Sequence, residues 1–158
     1  MKSFIVFLLA VAGVAFTASR FRPGEWYAAL QKPAWTPPNW LFAPVWTLLY
    51  IGIAVAGWLV WRRLEGQPSA PLIFWVAQLV LNGLWSWLFF GLHRPGLALI
   101  DIVLLEAAII GFAISALPTA RLAAGLFVPY AVWVGYATAL NLFIWQANRP
   151  AVALSKSP

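Results

Sequence analysis

The chain is 158 residues long, 63% hydrophobic and only 9% charged, whereas soluble domains are about 45–50% apolar and about 25% charged. The length suits one domain, and the composition excludes both an ordinary soluble enzyme and a disordered chain. The net charge of +6 comes from basic residues scattered in the gaps between apolar runs, a pattern of membrane anchoring and not of nucleic-acid binding.

A membrane-spanning helix needs roughly 20 mainly apolar residues. The first candidate runs from Ser3 to Ser19, between Lys2 and Arg20. It is barely long enough and also has the length of a signal peptide. Against cleavage, Ala15-Phe16-Thr17-Ala18 carries Phe where a small residue is wanted. A long connection follows, Arg20 to Leu41, holding Pro23, Gly24, Pro33, Pro37 and Pro38 together with Trp26, Tyr27, Trp35 and Trp40. Two readings stand: an interfacial aromatic belt, or an ordered lid over the mouth of a bundle. A flexible linker would favour Gly and Ser.

Four more runs follow. They cover Phe42 to Trp61, ending at Arg62-Arg63, then Pro71 to Gly91, Leu97 to Leu117 and Leu122 to Trp145. All are apolar on every side, as buried or lipid-facing helices are. Short alternating segments, the mark of a β-barrel, are missing. Spans must satisfy their own backbone hydrogen bonds. The expected fold is therefore an all-α, multi-pass integral membrane protein in one domain: a five-transmembrane-helix bundle with spans near 3–19, 42–61, 71–91, 97–117 and 122–145. An odd number of spans puts the termini on opposite sides. The side with the long loop carries Arg20, Arg22, Lys32, Arg94, Arg149 and Lys156, against Lys2, Arg62, Arg63 and Arg121. That excess favours a cytoplasmic loop and C-terminus. Phe42-Ala43-Pro44 and Phe127-Val128-Pro129 echo one another, too briefly to argue an inverted-repeat transporter.

Polar groups at membrane depth are costly and need a partner or a function. Asp101 and Glu106 are five apart, on different faces of one helix, which argues against a paired acid–base site. Asp101 follows Arg94 by seven residues, so an ion pair or a capping role near the interface is expected. Glu106 lies deeper, with a protonated state, a partner helix and a cavity all open as readings. Gln78, Asn82 and Ser86 recur every four residues and form one polar stripe; Asn141 and Gln146 add amides on the last span. Inter-helix bonding and a ligand cavity are compatible uses of them. His93 is the only histidine and Cys is absent, so no metal site, disulfide or catalytic triad is expected, and axial haem ligation has little behind it.

Of the 11 tryptophans, Trp26, Trp35, Trp40, Trp61 and Trp145 fall near span ends, as interface anchors do. Trp46, Trp75, Trp85, Trp87 and Trp133 fall inside spans, with Trp58 between the two sets. Interior indoles beside a polar stripe suit a cavity for a large flat aromatic ligand.

The strings Trp26-Tyr27, Lys32-Pro33-Ala34-Trp35-Thr36-Pro37-Pro38-Asn39-Trp40 and Pro44-Val45-Trp46-Thr47-Leu48-Leu49-Tyr50 are followed by Gln78, Asn82, Trp85-Ser86 and Phe89-Phe90-Gly91. Pro129-Tyr130, Trp133, Ala137-Thr138 and Leu140-Asn141 complete the order. From about Trp26 to Asn148 the chain resembles the tryptophan-rich sensory protein (TspO) family, which includes the mitochondrial translocator protein, or peripheral benzodiazepine receptor. The resemblance implies a five-helix bundle with an uncleaved first helix, commonly a homodimer. It also implies binding of tetrapyrroles such as protoporphyrin IX or haem as ligands, with no cofactor required, and in some members of sterols and isoquinoline or benzodiazepine-type ligands. By motif, the implied ligand-binding residues are Tyr27, Pro37, Trp46, Asn82, Trp85, Trp133, Ala137 and Asn141. Trp46 and Trp133 match tryptophans implicated in light-driven porphyrin breakdown in some members, and would be catalytic only in that case. Asp101 matches an Asp common at the start of the family's fourth helix. Phe143 stands where the family's sterol motif needs Tyr, which puts sterol binding in doubt. The functions implied are a tetrapyrrole carrier or sensor, or alternatively a light-dependent porphyrin-degrading enzyme; a small transporter or channel is a third reading.

Overall fold

The computed structural model describes residues 2–149; Lys156, counted above in the charge asymmetry, lies outside them. The described residues are helical, without strands. The helices are α1 (Lys2–Ser19), the short α2 (Glu25–Ala29), α3 (Asn39–Arg63), α4 (Ala70–Ser86), α5 (Pro95–Ala116) and α6 (Arg121–Ala147). A π-helical turn, Trp87–Gly91, extends α4. Among the described residues, four helices are long and apolar enough to cross a membrane: α3, α4 with its π turn, α5 and α6. The segment Ser3–Ser19 of α1 is apolar but shorter.

The helices start earlier than the apolar runs because their first turns are polar or proline-bearing. Pro71 opens α4 and Pro95 opens α5, where the missing N–H costs nothing. Arg62 and Arg63 close α3, favourable against the helix dipole. Pro44 and Pro129 lie inside α3 and α6. Each removes one backbone bond, a loss that neighbouring helices tolerate in membrane proteins.

The most extensive packing is of α5 against α6 and α4; α1 lies on α3 and α4, and α3 meets α6. The centre is apolar and close-fitting. Phe112 and Phe127 stack with centroids 3.8 Å apart. Trp75 meets Phe7 edge-on at 4.8 Å, and its indole N–H donates to the Ile53 carbonyl at 2.8 Å. Gly57 lets α3 approach so closely that a Cβ there would overlap the Trp75 ring and lie 2.8 Å from Phe7. The outer surface carries Leu48, Ile73, Ile114 and Val132, each more than half exposed. A shell so apolar needs lipid around it.

Asp101 corrects the sequence reading. It is buried, and neither carboxylate oxygen has a hydrogen-bond partner among the described residues. The expected pairing assumed continuous helix from Arg94. Arg94 is instead the N-cap, with φ −114° and ψ 72°, so its side chain leaves a non-helical backbone and makes no bond to the Asp101 carboxylate.

Candidate functional site

The long connection after α1 is a fastened structure. Lys32 Nζ donates to the carbonyls of Tyr27 at 2.6 Å, Leu30 at 3.1 Å and Ala28 at 3.2 Å, which holds the C-terminal end of α2. The same ammonium sits 4.7 Å from the Tyr27 ring centroid. Trp26 stacks on His93, 4.2 Å apart and 13° from parallel. The Tyr136 hydroxyl donates to the Trp35 carbonyl, and Trp35 packs edge-on against Tyr136 and Phe143. Asn148 bonds both backbone groups of Gln31. The loop is thus tied to α6 at two places and to the turn before α5 at a third.

Beneath it lies a cavity of about 630 Å³, within the usual range for small-molecule sites, about 300–1,000 Å³. Ala15, Ala18 and Ser19 of α1 form one wall, and Phe21, Arg22, Pro23 and Tyr27 come from the loop. From α3 come Asn39, Phe42, Ala43, Trp46 and Tyr50. Asn82, Trp85 and Phe90 belong to α4 and its π turn, Ile102 and Leu105 to α5, and Trp133, Val134 and Ala137 to α6. The wide π turn, closed by Leu92 N–H donating to the Trp87 carbonyl at 2.8 Å, sets Phe89 stacked on Trp85 at 5.1 Å and Phe90 edge-on to Tyr27 at 5.5 Å. Such turns recur at functional sites.

Of the residues expected at the site, Tyr27, Trp46, Asn82, Trp85, Trp133 and Ala137 line this cavity, while Pro37 and Asn141 do not. Asn141 is buried and spends its amide elsewhere. Its Oδ1 accepts from Trp85 Nε1 at 3.0 Å and its Nδ2 donates to the Pro95 carbonyl at 2.8 Å. It therefore orients Trp85 from behind. Pro37 lies in the loop just ahead of α3, where Asn39 reaches the lining in its place.

The polar stripe of α4 is realised at two of its three residues, Gln78 and Asn82. Tyr50 donates to Asn82 Oδ1 at 2.9 Å, Asn82 Nδ2 to the Tyr130 hydroxyl at 3.1 Å, and Tyr130 to Gln78 Oε1 at 3.0 Å. Gln78 Nε2 donates to the Trp75 carbonyl at 2.9 Å. Ser86 has no place in this chain of bonds. Tyr50 and Tyr130 are not among the site residues the sequence singles out. Tyr50 follows Trp46 by four residues, on the same helix face, which was the available signal. Arg22, at the rim, carried no signal beyond its charge.

Burial pushes the Tyr27 hydroxyl above its ordinary pKa, with the Tyr136 phenol adding to the effect, so it meets a ligand as a neutral hydroxyl. Among the described residues, Trp75 and Trp85 have acceptors for their indole N–H, whereas Trp46 and Trp133 have none. Trp46 packs against Tyr50 at 5.3 Å and Trp133 edge-on to Phe42 at 5.8 Å. Among the described residues the lining holds no His, Cys or Met, and His93 is stacked on Trp26 outside it. The arrangement suits stacking on a flat ring system and offers no imidazole or sulfur ligand to a metal.

The family model described as TspO/MBR family matches residues 4–146. Among similar proteins, the "Translocator protein" of Homo sapiens is 39% identical, covering 90% of this chain and 88% of the relative. "Protein CrtK" of Rhodobacter capsulatus is 37% identical, covering 92% of each. The "Tryptophan-rich protein TspO" of Archaeoglobus fulgidus is 40% identical, over 89% of this chain and 94% of the relative. With its apolar helices of spanning length and a match that runs almost from end to end, this integral membrane protein belongs to the TspO/MBR family.

Proposed function

We propose that the cavity binds a tetrapyrrole of the protoporphyrin IX type, and that the protein is a membrane carrier or sensor of such compounds. The observation that carries this reading is the meeting of Trp46, Trp85 and Trp133, from three different helices, around one cavity of about 630 Å³ under the fastened loop. A flat macrocycle gains most from apolar burial and stacking, which three indoles supply. Arg22 at the rim is a suitable partner for ring carboxylates. With no His, Cys or Met in the lining among the described residues, the metal-free ring suits the site better than haem, whose iron usually takes such a ligand. Isoquinoline and benzodiazepine-type compounds are flat enough for the same walls; sterols, which cannot stack, are poorer candidates. The experiment is a titration with protoporphyrin IX in darkness, followed by tryptophan fluorescence and porphyrin absorbance. Saturable quenching is expected, and its absence would remove the reading.

The light-dependent reading keeps one specific support, since both Trp46 and Trp133 line the cavity. We also propose that α1 spans the membrane as a fifth helix. Its 18 residues reach about 27 Å, close to the roughly 30 Å hydrocarbon thickness. A homodimer is the expected assembly, from the family alone; mass measurement in detergent showing only monomer at all concentrations would count against it.

A further inference from the structure

We infer that Tyr50 meets a ligand only as a hydrogen-bond acceptor, so that a polar ligand atom turned toward it must be an O–H or N–H donor. The inference rests on reading the cavity as a ligand site.

The polarity of Tyr50 is set from a distance. Gln78 approaches the Trp75 carbonyl at 2.9 Å. A carbonyl carries no proton, so the Gln78 group facing it is the NH2. The other end of that amide, Oε1, faces Tyr130 at 3.0 Å, so Tyr130 donates there. A phenol has one proton, and with it committed the Tyr130 oxygen can only accept from the Asn82 NH2, 3.1 Å away. Asn82 is thereby oriented with Oδ1 toward Tyr50, which donates its single proton at 2.9 Å. What Tyr50 itself has left for the cavity is the lone pair of its oxygen.

Turning both amides over would reverse every bond and leave Tyr50 free to donate. It would also set Gln78 Oε1 against the Trp75 carbonyl, acceptor against acceptor, at a fully buried side chain. An unpaired buried polar contact of that kind is among the costlier defects in a protein interior. The Trp75 carbonyl therefore dictates, through Gln78, Tyr130 and Asn82, what Tyr50 offers. A ligand that turns a carbonyl or carboxylate toward Tyr50 meets lone pair with lone pair. One that turns a hydroxyl or N–H toward it completes the chain. Carboxylates are left for the rim, where Arg22 stands.

The test compares two fluorescent four-ring probes, 1-hydroxypyrene and 1-methoxypyrene, binding to the full-length protein in detergent. Wild type is expected to bind the hydroxyl compound about fivefold or more tightly, as one hydrogen bond requires. Gln78 does not line the cavity. Gln78→Met keeps its bulk but releases Tyr130 and Asn82 to reverse, so the preference should fall to near one although no residue lining the cavity has been replaced. Tyr50→Phe should lower the preference as well, because the freed Asn82 oxygen lies 2.9 Å beyond the lost hydroxyl. Equal affinity of the two probes in wild type, or an unchanged preference in both variants, would overturn the inference while leaving the cavity reading intact. Failure of either probe to bind wild type saturably would overturn both.

Discussion

Asn148 treats Gln31 as a second strand would: its Oδ1 accepts from the Gln31 N–H at 2.9 Å and its Nδ2 donates to the Gln31 carbonyl at 3.0 Å. The two residues are 117 positions apart. The same Nδ2 also reaches the Ile144 carbonyl at 2.8 Å, so one amide both ends α6 and fastens the loop above the cavity.

Asn148→Ala removes that fastening and leaves the loop held by Tyr136 and Trp26. The bonds are exposed, so the expected loss of stability is small, about 1 kcal/mol. The larger effect is on the loop. Proteolysis between α1 and α3 should quicken, and a bound porphyrin should leave several-fold faster. Unchanged proteolysis and release rates would show that this amide does not hold the loop.

Gly57→Ala tests the close approach of α3. The new methyl would overlap the Trp75 ring, which cannot retreat without breaking its bond to the Ile53 carbonyl. Overpacking of this kind costs about 1–3 kcal/mol. Thermal unfolding in detergent should fall by several degrees, whereas Gly125→Ala, with nothing within 4 Å of the added atom, should change little.

Much of this was readable from the sequence, for identifiable reasons. Span positions follow from runs of apolar residues, whose length is a one-dimensional property. Gln78 and Asn82 declared themselves by a spacing of four residues. Tyr130 did not, because its place between them depends on the register of α6 against α4, which no local pattern encodes. The same limit explains Asn141. Its polarity marked it as important, but only packing turns it toward Trp85 and Pro95, away from the cavity. Asp101 lacks the pairing its spacing from Arg94 suggests, because the backbone at Arg94 is not yet helical.

If α1 crosses the bilayer, the termini lie on opposite sides. A tag in the loop between α1 and α3 and a tag at the C-terminus should be reached by an impermeant reagent from one side, and an N-terminal tag from the other. Both terminal tags on one side would rule out five spans.

Trp46 and Trp133 separate binding from photochemistry. As stacking surfaces they should tolerate Phe with a loss on the order of 1 kcal/mol in dark binding. As electron donors to an excited porphyrin they need the indole, and either Phe substitution should then abolish light-driven loss of porphyrin absorbance. If wild type bleaches bound porphyrin no faster than an unrelated membrane protein does, the enzyme reading fails and the carrier or sensor reading stands.

The most direct measurement fills the cavity. Ala137 lines it on α6, so Ala137→Phe places a ring where the macrocycle would lie without touching the outer surface of the bundle. Wild type and variant are titrated with protoporphyrin IX in darkness, with thermal unfolding in detergent as the control for folding. Saturable tryptophan quenching in wild type, weakened at least tenfold in a folded Ala137→Phe protein, is the predicted result. Equal affinity in the two proteins would place the porphyrin elsewhere and contradict the account.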